Sequence, residues 1–245
     1  MRFAIFGDIH ANLEALNAVL ADAQAHGVTH YVCLGDIVGY AANPGECLEI
    51  VRALECPVVQ GNHDEQACAN DDLAGFNPLA QFAIDWTRQQ LSPEQKDWLR
   101  AMKLVRQVRD FTIVHATLDT PQRWGYIFNP LDAEASFNYQ NTQLCFYGHT
   151  HAPRAYVRDS STTVHSHAFT ADSPLPVEAG KKYFVNVGSV GQPRDGDWHA
   201  SYCLYTPADQ SIQLRRLEYE IGAAQDKILS AGLPQRLADR LALGK

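Results

Sequence analysis

Basic residues are in the minority. Lys and Arg total 20 against 28 Asp and Glu, a formal net charge of −8 with a pI near 5.6. That balance disfavours non-specific adhesion to nucleic acid or to an anionic membrane. A small anionic substrate remains compatible, because bound cations would dominate the local field. Long apolar runs are missing, which argues against a membrane span. The apolar N-terminal run is too short for a signal peptide and stops at Asp8, so a cytoplasmic protein is expected. The six cysteines contain no C-x-x-C pair. Cys33, Cys145 and Cys203 sit in strand-like apolar runs, so reduced, buried thiols are expected rather than a disulfide framework. Internal repeats, linkers and low-complexity runs are absent too.

What is present is an ordinary globular balance, 46 % apolar and 20 % charged over 245 residues. Residues 2–7, 30–35 and 57–60 read as strands, and residues 12–26 and 44–54 as helices. Asn12 is a plausible N-cap and Pro44 a first-turn proline. Strand–helix–strand–helix–strand implies a parallel sheet with right-handed crossovers. Helices are expected over 78–91 and again after Ser92, where a capping box is spelled Ser92-Pro93-Glu94-Gln95. Strands return at 111–115 and 144–147. From 154 onward short strands with turn signals suggest a second, largely antiparallel sheet. The fold class expected is α/β, two packed mixed sheets flanked by helices. One domain over 1–245 is expected, with a helical insertion around 70–105 and a C-terminal helix over 221–243, interrupted near Gly232-Leu233-Pro234. Leu13, Leu16, Leu20, Phe82 and Trp86 are expected in the core.

Five segments share one design, each placing Asp, His or Asn at a strand's carboxyl end: Gly7-Asp8-Ile9-His10, Gly35-Asp36, Gly61-Asn62-His63-Asp64, Val114-His115 and Gly148-His149-Thr150-His151. Ligands of open α/β sheets bind outside those ends. Glycine precedes the polar residue in four of the five, permitting a sharp turn and close backbone approach. Asp8 and His10 are two apart, as are His149 and His151, so in extended chain each pair points to one side. Carboxylate, imidazole and amide donors without thiolate suit Mn, Fe or Zn and argue against a structural cysteine–zinc site.

The ordered set D-x-H, GD, GNHD, H, GHTH resembles the calcineurin-like metallophosphoesterase superfamily, in particular its small prokaryotic phosphodiesterase-type members. The resemblance spans residues 7 to about 195, because the late run Asn186-Val-Gly-Ser-Val-Gly-Gln-Pro-Arg-Asp-Gly is similar as well. It implies an αββα sandwich and hydrolysis of phosphate esters, as phosphodiesters or small nucleotides, by attack of a metal-bridging hydroxide. It implies two divalent ions, Mn above all, with Fe, Zn or Ni as alternatives. Asp8, His10 and His151 would bind the first, Asn62, His115 and His149 the second, and Asp36 both. It makes His63 the catalytic histidine, stabilising charge on phosphorus or protonating the leaving oxygen, tasks suited to a protonated imidazole. Family members that dephosphorylate proteins orient that histidine with an acidic residue three positions after the Asp36 equivalent. Gly39 stands there, which weighs against a protein-phosphatase reading and leaves Asp64 as the nearest orienting candidate.

Other residues carry open readings. Arg123, Trp124 and Tyr126 follow His115 closely and suit a phosphate clamp and base-stacking loop, or equally a cap over the core. Arg194-Asp195 reaches the site's rim or forms an internal salt bridge. Tyr40 and Asn43 suit the mouth. His165 and His167 read as surface histidines, with a third metal site as the alternative; His26, His30 and His199 read as surface or structural. The expected partner is a small phosphorylated substrate, with no extended nucleic acid and no membrane. A metal-dependent nuclease and a non-catalytic protein-binding scaffold are the competing functions. The first would want a basic groove, and the second should have lost ligands that are all present.

Overall fold

The computed structural model describes residues 1–69, 73, 77–160, 163–167 and 169–245. The N-terminal third follows the expected alternation. Strand β1 (Phe3–Phe6) leads into helix α1 (Leu13–Ala25), strand β2 (His30–Cys33) into helix α2 (Pro44–Ala53). Asn12 caps α1 by accepting the Ala15 N–H at 3.1 Å. Segment 57–60, expected as a third strand, makes only isolated parallel bridges: Val58 to Cys33 and Val59 to Lys103. Pro57 brings no N–H, and Gly61 turns the chain at once into helix α3 (Asn62–Cys68).

Helices α4 (Pro78–Gln90) and α5 (Pro93–Arg100) come next, the latter opened by the Ser92–Gln95 capping box. The first residues of the expected insertion, 70–72 and 74–76, lie outside the described residues. Strands β3 (Val105–Val108) and β4 (Phe111–Val114) precede helix α6 (Pro130–Tyr139). Sequence reasoning missed α6, although Asn129-Pro130 spells its start and Asn129 Oδ1 accepts from Leu131 and Asp132. Strands β5 (Leu144–Tyr147), β6 (Arg154–Arg158), β7 (Val164–His167), β8 (Leu175–Pro176), β9 (Lys182–Asn186), β10 (Ala200–Thr206) and β11 (Ser211–Leu217) complete the sheets. Of the strand expected around 162–167, residue 162 lies outside the described residues. The C-terminal segment is two helices, α7 (Ile221–Ser230) and α8 (Gln235–Asp239), broken where Gly232 adopts a positive φ before Pro234.

The two sheets have the orders β2-β1-β10-β11-β8 and β3-β4-β5-β9-β6-β7. Both are mixed. β1 and β2 run parallel, as do β4, β5 and β9, while the remaining pairings are antiparallel. This corrects the expectation that the late strands form a second sheet of their own: β10 returns to pair with β1 and carries β11 on its other edge. Strand alternation sorts the core. Phe3, Ile5, Phe111, Ile113, Leu144 and Phe146 pack between the sheets. Ala4 and Phe6 turn outward under α1 and its neighbours, and Cys145 and Tyr147 turn outward under α6. Leu16 is fully buried, but Phe82 is 49 % exposed and not a core residue, because it lies on the outer face of α4. All six cysteines are free. Among the described residues no helix is long and apolar enough to cross a membrane.

Candidate metal centre

The parallel strands bring their carboxyl ends to one place. Asp8 follows β1, Asp36 follows β2, His115 follows β4 and His149 follows β5. Asp8, His10, Asp36 and His151 form one group of convergent donors; Asp36, His115 and His149 form another, and all six residues are buried. Asp36 belongs to both. Its Oδ2 lies 3.5 Å from His10 Nε2 and 3.4 Å from His115 Nε2, while its Oδ1 accepts the His63 backbone N–H at 2.8 Å. Asp8 Oδ1 lies 3.4 Å from His151 Nε2 and 3.9 Å from His115 Nε2.

The two-residue spacing works differently from the expectation. The chain there is not extended: Asp8, His10, Asp36, His149 and His151 all have φ between 48° and 68°. Left-handed backbone in non-glycine residues costs of order 1–3 kcal/mol each and persists only where the surroundings impose it. The turns split His149 from His151, sending one to each group. The surroundings that impose them are hydrogen-bonded. Asp8 accepts the His149 N–H with both oxygens, at 3.1 and 3.0 Å. Ser189 Oγ donates to Asp8 O at 2.8 Å, and Asn186 Nδ2 donates to Gly148 O and Thr150 Oγ1. A Cβ on Gly148 would lie 2.5 Å from Asp8 Oδ2, so only glycine admits this approach.

Four imidazoles have their tautomers set by main-chain carbonyls. Nδ1–H donates to Val38 O from His10 (3.2 Å), to Leu34 O from His115 (2.8 Å) and to Gln192 O from His151 (2.6 Å); His149 donates through Nε2–H to Trp124 O (2.9 Å). The remaining ring nitrogens face one another: His10 Nε2 and His151 Nε2 at 3.1 Å, and His115 Nε2 and His149 Nδ1 at 3.2 Å, a pair that a proton on His115 can bridge. Two lone pairs at that distance beside a carboxylate repel unless a cation lies among them. Carbonyl-oriented histidines of this kind are the usual support of metal ligands. Asn62 agrees: its Oδ1 is buried and has no hydrogen-bond partner among the described residues. The donor set therefore fits divalent ions.

Electrostatics point the same way. Burial pushes His10 and His151 well below the usual histidine range and takes His149 down to about 3, so all three are neutral at pH 7 and ready to ligate. Burial raises Asp8 to about 7. Burial would depress His115, but the Asp36 and Asp8 carboxylates lift it to about 9. Without a metal, a proton on His115 does part of a cation's work.

His63 starts α3 beside the cluster, 4 % exposed. Asp64 does not orient it. The Asp64 carboxylate accepts the N–H groups of Ile37, Val38 and Gly61 and so ties the Asp36 loop to the start of α3. The His63 ring packs instead against Tyr40 (centroids 4.4 Å apart) and edge-on to His10 (4.8 Å). Gly39, at φ 92°, is the third wall, since a Cβ there would lie 2.5 Å from His63 Nδ1. Burial takes His63 down to about 4, so its resting imidazole is neutral, contrary to the protonated form expected.

A cleft of about 290 Å³ opens over the donors, lined by Asp36, His63, Arg123, Tyr126, Arg194 and Tyr40 among others. All three expected rim residues, Arg123, Tyr40 and Arg194, reach it. The 123–126 loop caps the centre and also lines the cleft. Trp124 caps, donating through Nε1 to Glu65 and offering its carbonyl to His149. Tyr126 stacks on His149 (4.2 Å, 28°) yet stays 51 % exposed toward the cleft. Arg194 pairs with Gln192 rather than Asp195, which bonds Arg216. His165 and His167 join no potential metal group among the described residues. The supports that sequence reasoning missed, Asn186, Ser189 and the Gln192 and Trp124 carbonyls, act through buried bonds that carry no spacing signal; Asn186 and Ser189 do fall in the late run singled out beforehand.

A family model described as calcineurin-like phosphoesterase superfamily domain matches residues 1–210. The chain belongs to the calcineurin-like phosphoesterase superfamily. An uncharacterised protein of Methanocaldococcus jannaschii is 39 % identical over 99 % of this chain and 98 % of its own length. The crystal structure of a metallophosphoesterase from Sphaerobacter thermophilus is 42 % identical, with a TM-score of 0.88 over 100 % of this chain and 99 % of that one. A hypothetical protein of Pyrococcus horikoshii shares the fold at 19 % identity, with a TM-score of 0.80 over 100 % and 98 % of the two chains. As a calcineurin-like phosphoesterase this chain is a hydrolase of phosphoric ester bonds, from a metal-dependent family, with buried His/Asp groups able to hold metal.

Proposed function

We propose that this phosphoesterase works with two divalent ions, Mn in preference to Fe, Zn or Ni, on phosphodiesters or small nucleotides. The observation that carries the reading is the facing of two pairs of histidine ring nitrogens, 3.1 and 3.2 Å apart, on either side of Asp36. Asp8, His10 and His151 hold one ion; Asn62, His115 and His149 hold the other; Asp36 serves both. Bound ions of this kind supply charge for the phosphoryl oxygens and a nucleophilic water near neutral pH.

The chain's own groups do the rest. His63, neutral at rest, donates a hydrogen bond to the phosphoryl or leaving oxygen and gains its proton affinity from the substrate's negative charge. Arg194 and Arg123 orient the ester's oxygens from the rim. Tyr126 and the 64 % exposed Phe128, stacked at 5.5 Å and 6°, together offer a base an exposed aromatic surface, which favours nucleotides over bare phosphomonoesters.

Elemental analysis after purification in Mn²⁺, paired with turnover of bis(p-nitrophenyl) phosphate and of nucleotide esters, tests the reading. About two metal equivalents and metal-dependent hydrolysis are expected. One equivalent at saturation would sink the dinuclear reading. Absence of turnover with two metals bound would favour the non-catalytic scaffold.

A further inference from the structure

Beside the cleft lies a second one of about 510 Å³, whose lining includes Arg236, Arg240, Lys245 and Asp239 from the C-terminal segment; the two clefts share Asn77. Arg240 joins them electrostatically. Its guanidinium carbon lies 5.7 Å from the Tyr40 ring centroid, and that of Arg194 lies 5.6 Å from the same centroid. Tyr40 in turn packs on His63, so the two cations sit one aromatic ring away from the catalytic imidazole. Among the described residues neither arginine pairs with an Asp or Glu side chain, the carboxylates of Asp195 and Asp22 being taken by Arg216 and Arg215. Arg194 is held by the neutral Gln192 amide, and Arg240 uses only its Nε, donating to a carboxylate oxygen of the last residue, Lys245. Burial, then the charge of Arg194, pulls the Arg240 pKa down to about 10, the signature of a cation held in an unfavourable place.

Two guanidinium groups aimed at one ring raise each other's energy, and an anion between or beyond them offsets that cost. A phosphoryl group accepts from guanidinium in a fork geometry that few other anions match. The ester being hydrolysed is accounted for by the metal centre, His63, Arg123 and Arg194. Arg240 lines the second cleft with its further cations.

Resting on the phosphoesterase reading above, we propose that Arg240 forms a second anion subsite, next to Arg194, that recognises a phosphoryl group other than the one hydrolysed. The preferred substrates are then nucleotides with a phosphoanhydride chain, rather than esters with a single phosphoryl group.

The test uses two substrates with the same leaving group, the p-nitrophenyl ester of thymidine 5′-monophosphate and the γ-p-nitrophenyl ester of thymidine 5′-triphosphate, at fixed free Mn²⁺. Arg240→Gln should lower kcat/KM for the triphosphate ester at least about tenfold more than for the monophosphate ester, chiefly through KM, as loss of a charge-assisted contact requires. Arg240→Lys keeps the charge and should return at least half of that discrimination. Equal losses on both esters would overturn the subsite. So would a Lys variant as poor as the Gln variant, since packing beneath Tyr40, not charge, would then be what was lost. Should the wild type with bound metal hydrolyse neither ester, the phosphoesterase reading itself fails; hydrolysis of both with no selective loss removes only the subsite.

Discussion

The floor and the rim of the cleft are built by opposite rules. On the floor, Asp8, His10, Asp36, His115 and His151 are all at most 1 % exposed, four of them in left-handed backbone, and each imidazole is fixed by a carbonyl. On the rim, Arg123, Tyr126, Phe128 and Arg194 keep solvent contact, and Arg194 is held by the Gln192 amide and the face of Tyr40. A donor set for metal tolerates errors of tenths of an ångström, so the floor stores strain to hold geometry. Substrate recognition tolerates more, so the rim is exposed side chains on loops. Floor substitutions should therefore cost orders of magnitude and metal; rim substitutions should cost less and shift substrate preference.

The largest effect is expected from Asp36→Asn. An amide cannot neutralise two cations, so turnover should fall at least about a thousandfold and metal content should drop. More than a tenth of the wild-type rate would show that Asp36 is not shared. Next comes His63→Ala, which tests whether a floor residue can be lost without metal. Turnover should fall on the order of a hundredfold or more with both equivalents retained, and esters of poor leaving groups should suffer more than nitrophenyl esters if His63 passes a proton. Loss of one equivalent would make His63 a ligand instead.

A subtler test reads the floor's protons. In the metal-free protein His115 holds its proton up to about 9, yet ligation needs the neutral ring. Metal binding at pH 7–9 must expel that proton, so apparent affinity should rise by about tenfold per pH unit and level off above about 9. Below about 7, where Asp8 also protonates, the slope should steepen. Calorimetric Mn²⁺ titration across this range checks it; a flat profile from 7 to 9 would mean His115 is unprotonated before metal arrives. The smallest effect is expected at the rim. Tyr126→Ala should raise KM for nucleotide esters roughly tenfold, as loss of one stacked base does, and change bis(p-nitrophenyl) phosphate by less. Equal changes would return Tyr126 to a capping role.

Much of this was legible beforehand. The strand–helix rhythm, the Asn12 and Ser92 caps and the ordered Asp/His/Asn segments are local patterns, and local patterns survive without coordinates. Four things were not. Phe82 reads as core by spacing alone, but which face of α4 meets the sheet is a tertiary choice. β10 and β11 have the alternation of a self-contained meander, yet β10 pairs with β1's free edge and brings β11 with it. The Asp8–His10 and His149–His151 spacings were read as extended chain, when the loop packing forces left-handed turns. The protonation of His63 depends on burial, which no motif displays.

By itself the sequence determined which donors exist and in what order, because strand ends and glycine turns are written in neighbouring residues. Only the tertiary structure decided how the donors divide into two groups about Asp36, which carbonyl sets each imidazole's tautomer, and that Arg240 comes to face Tyr40 across 200 residues of chain. Those outcomes rest on hydrogen bonds and packing between distant segments, whose energies appear only once burial has removed water from between them.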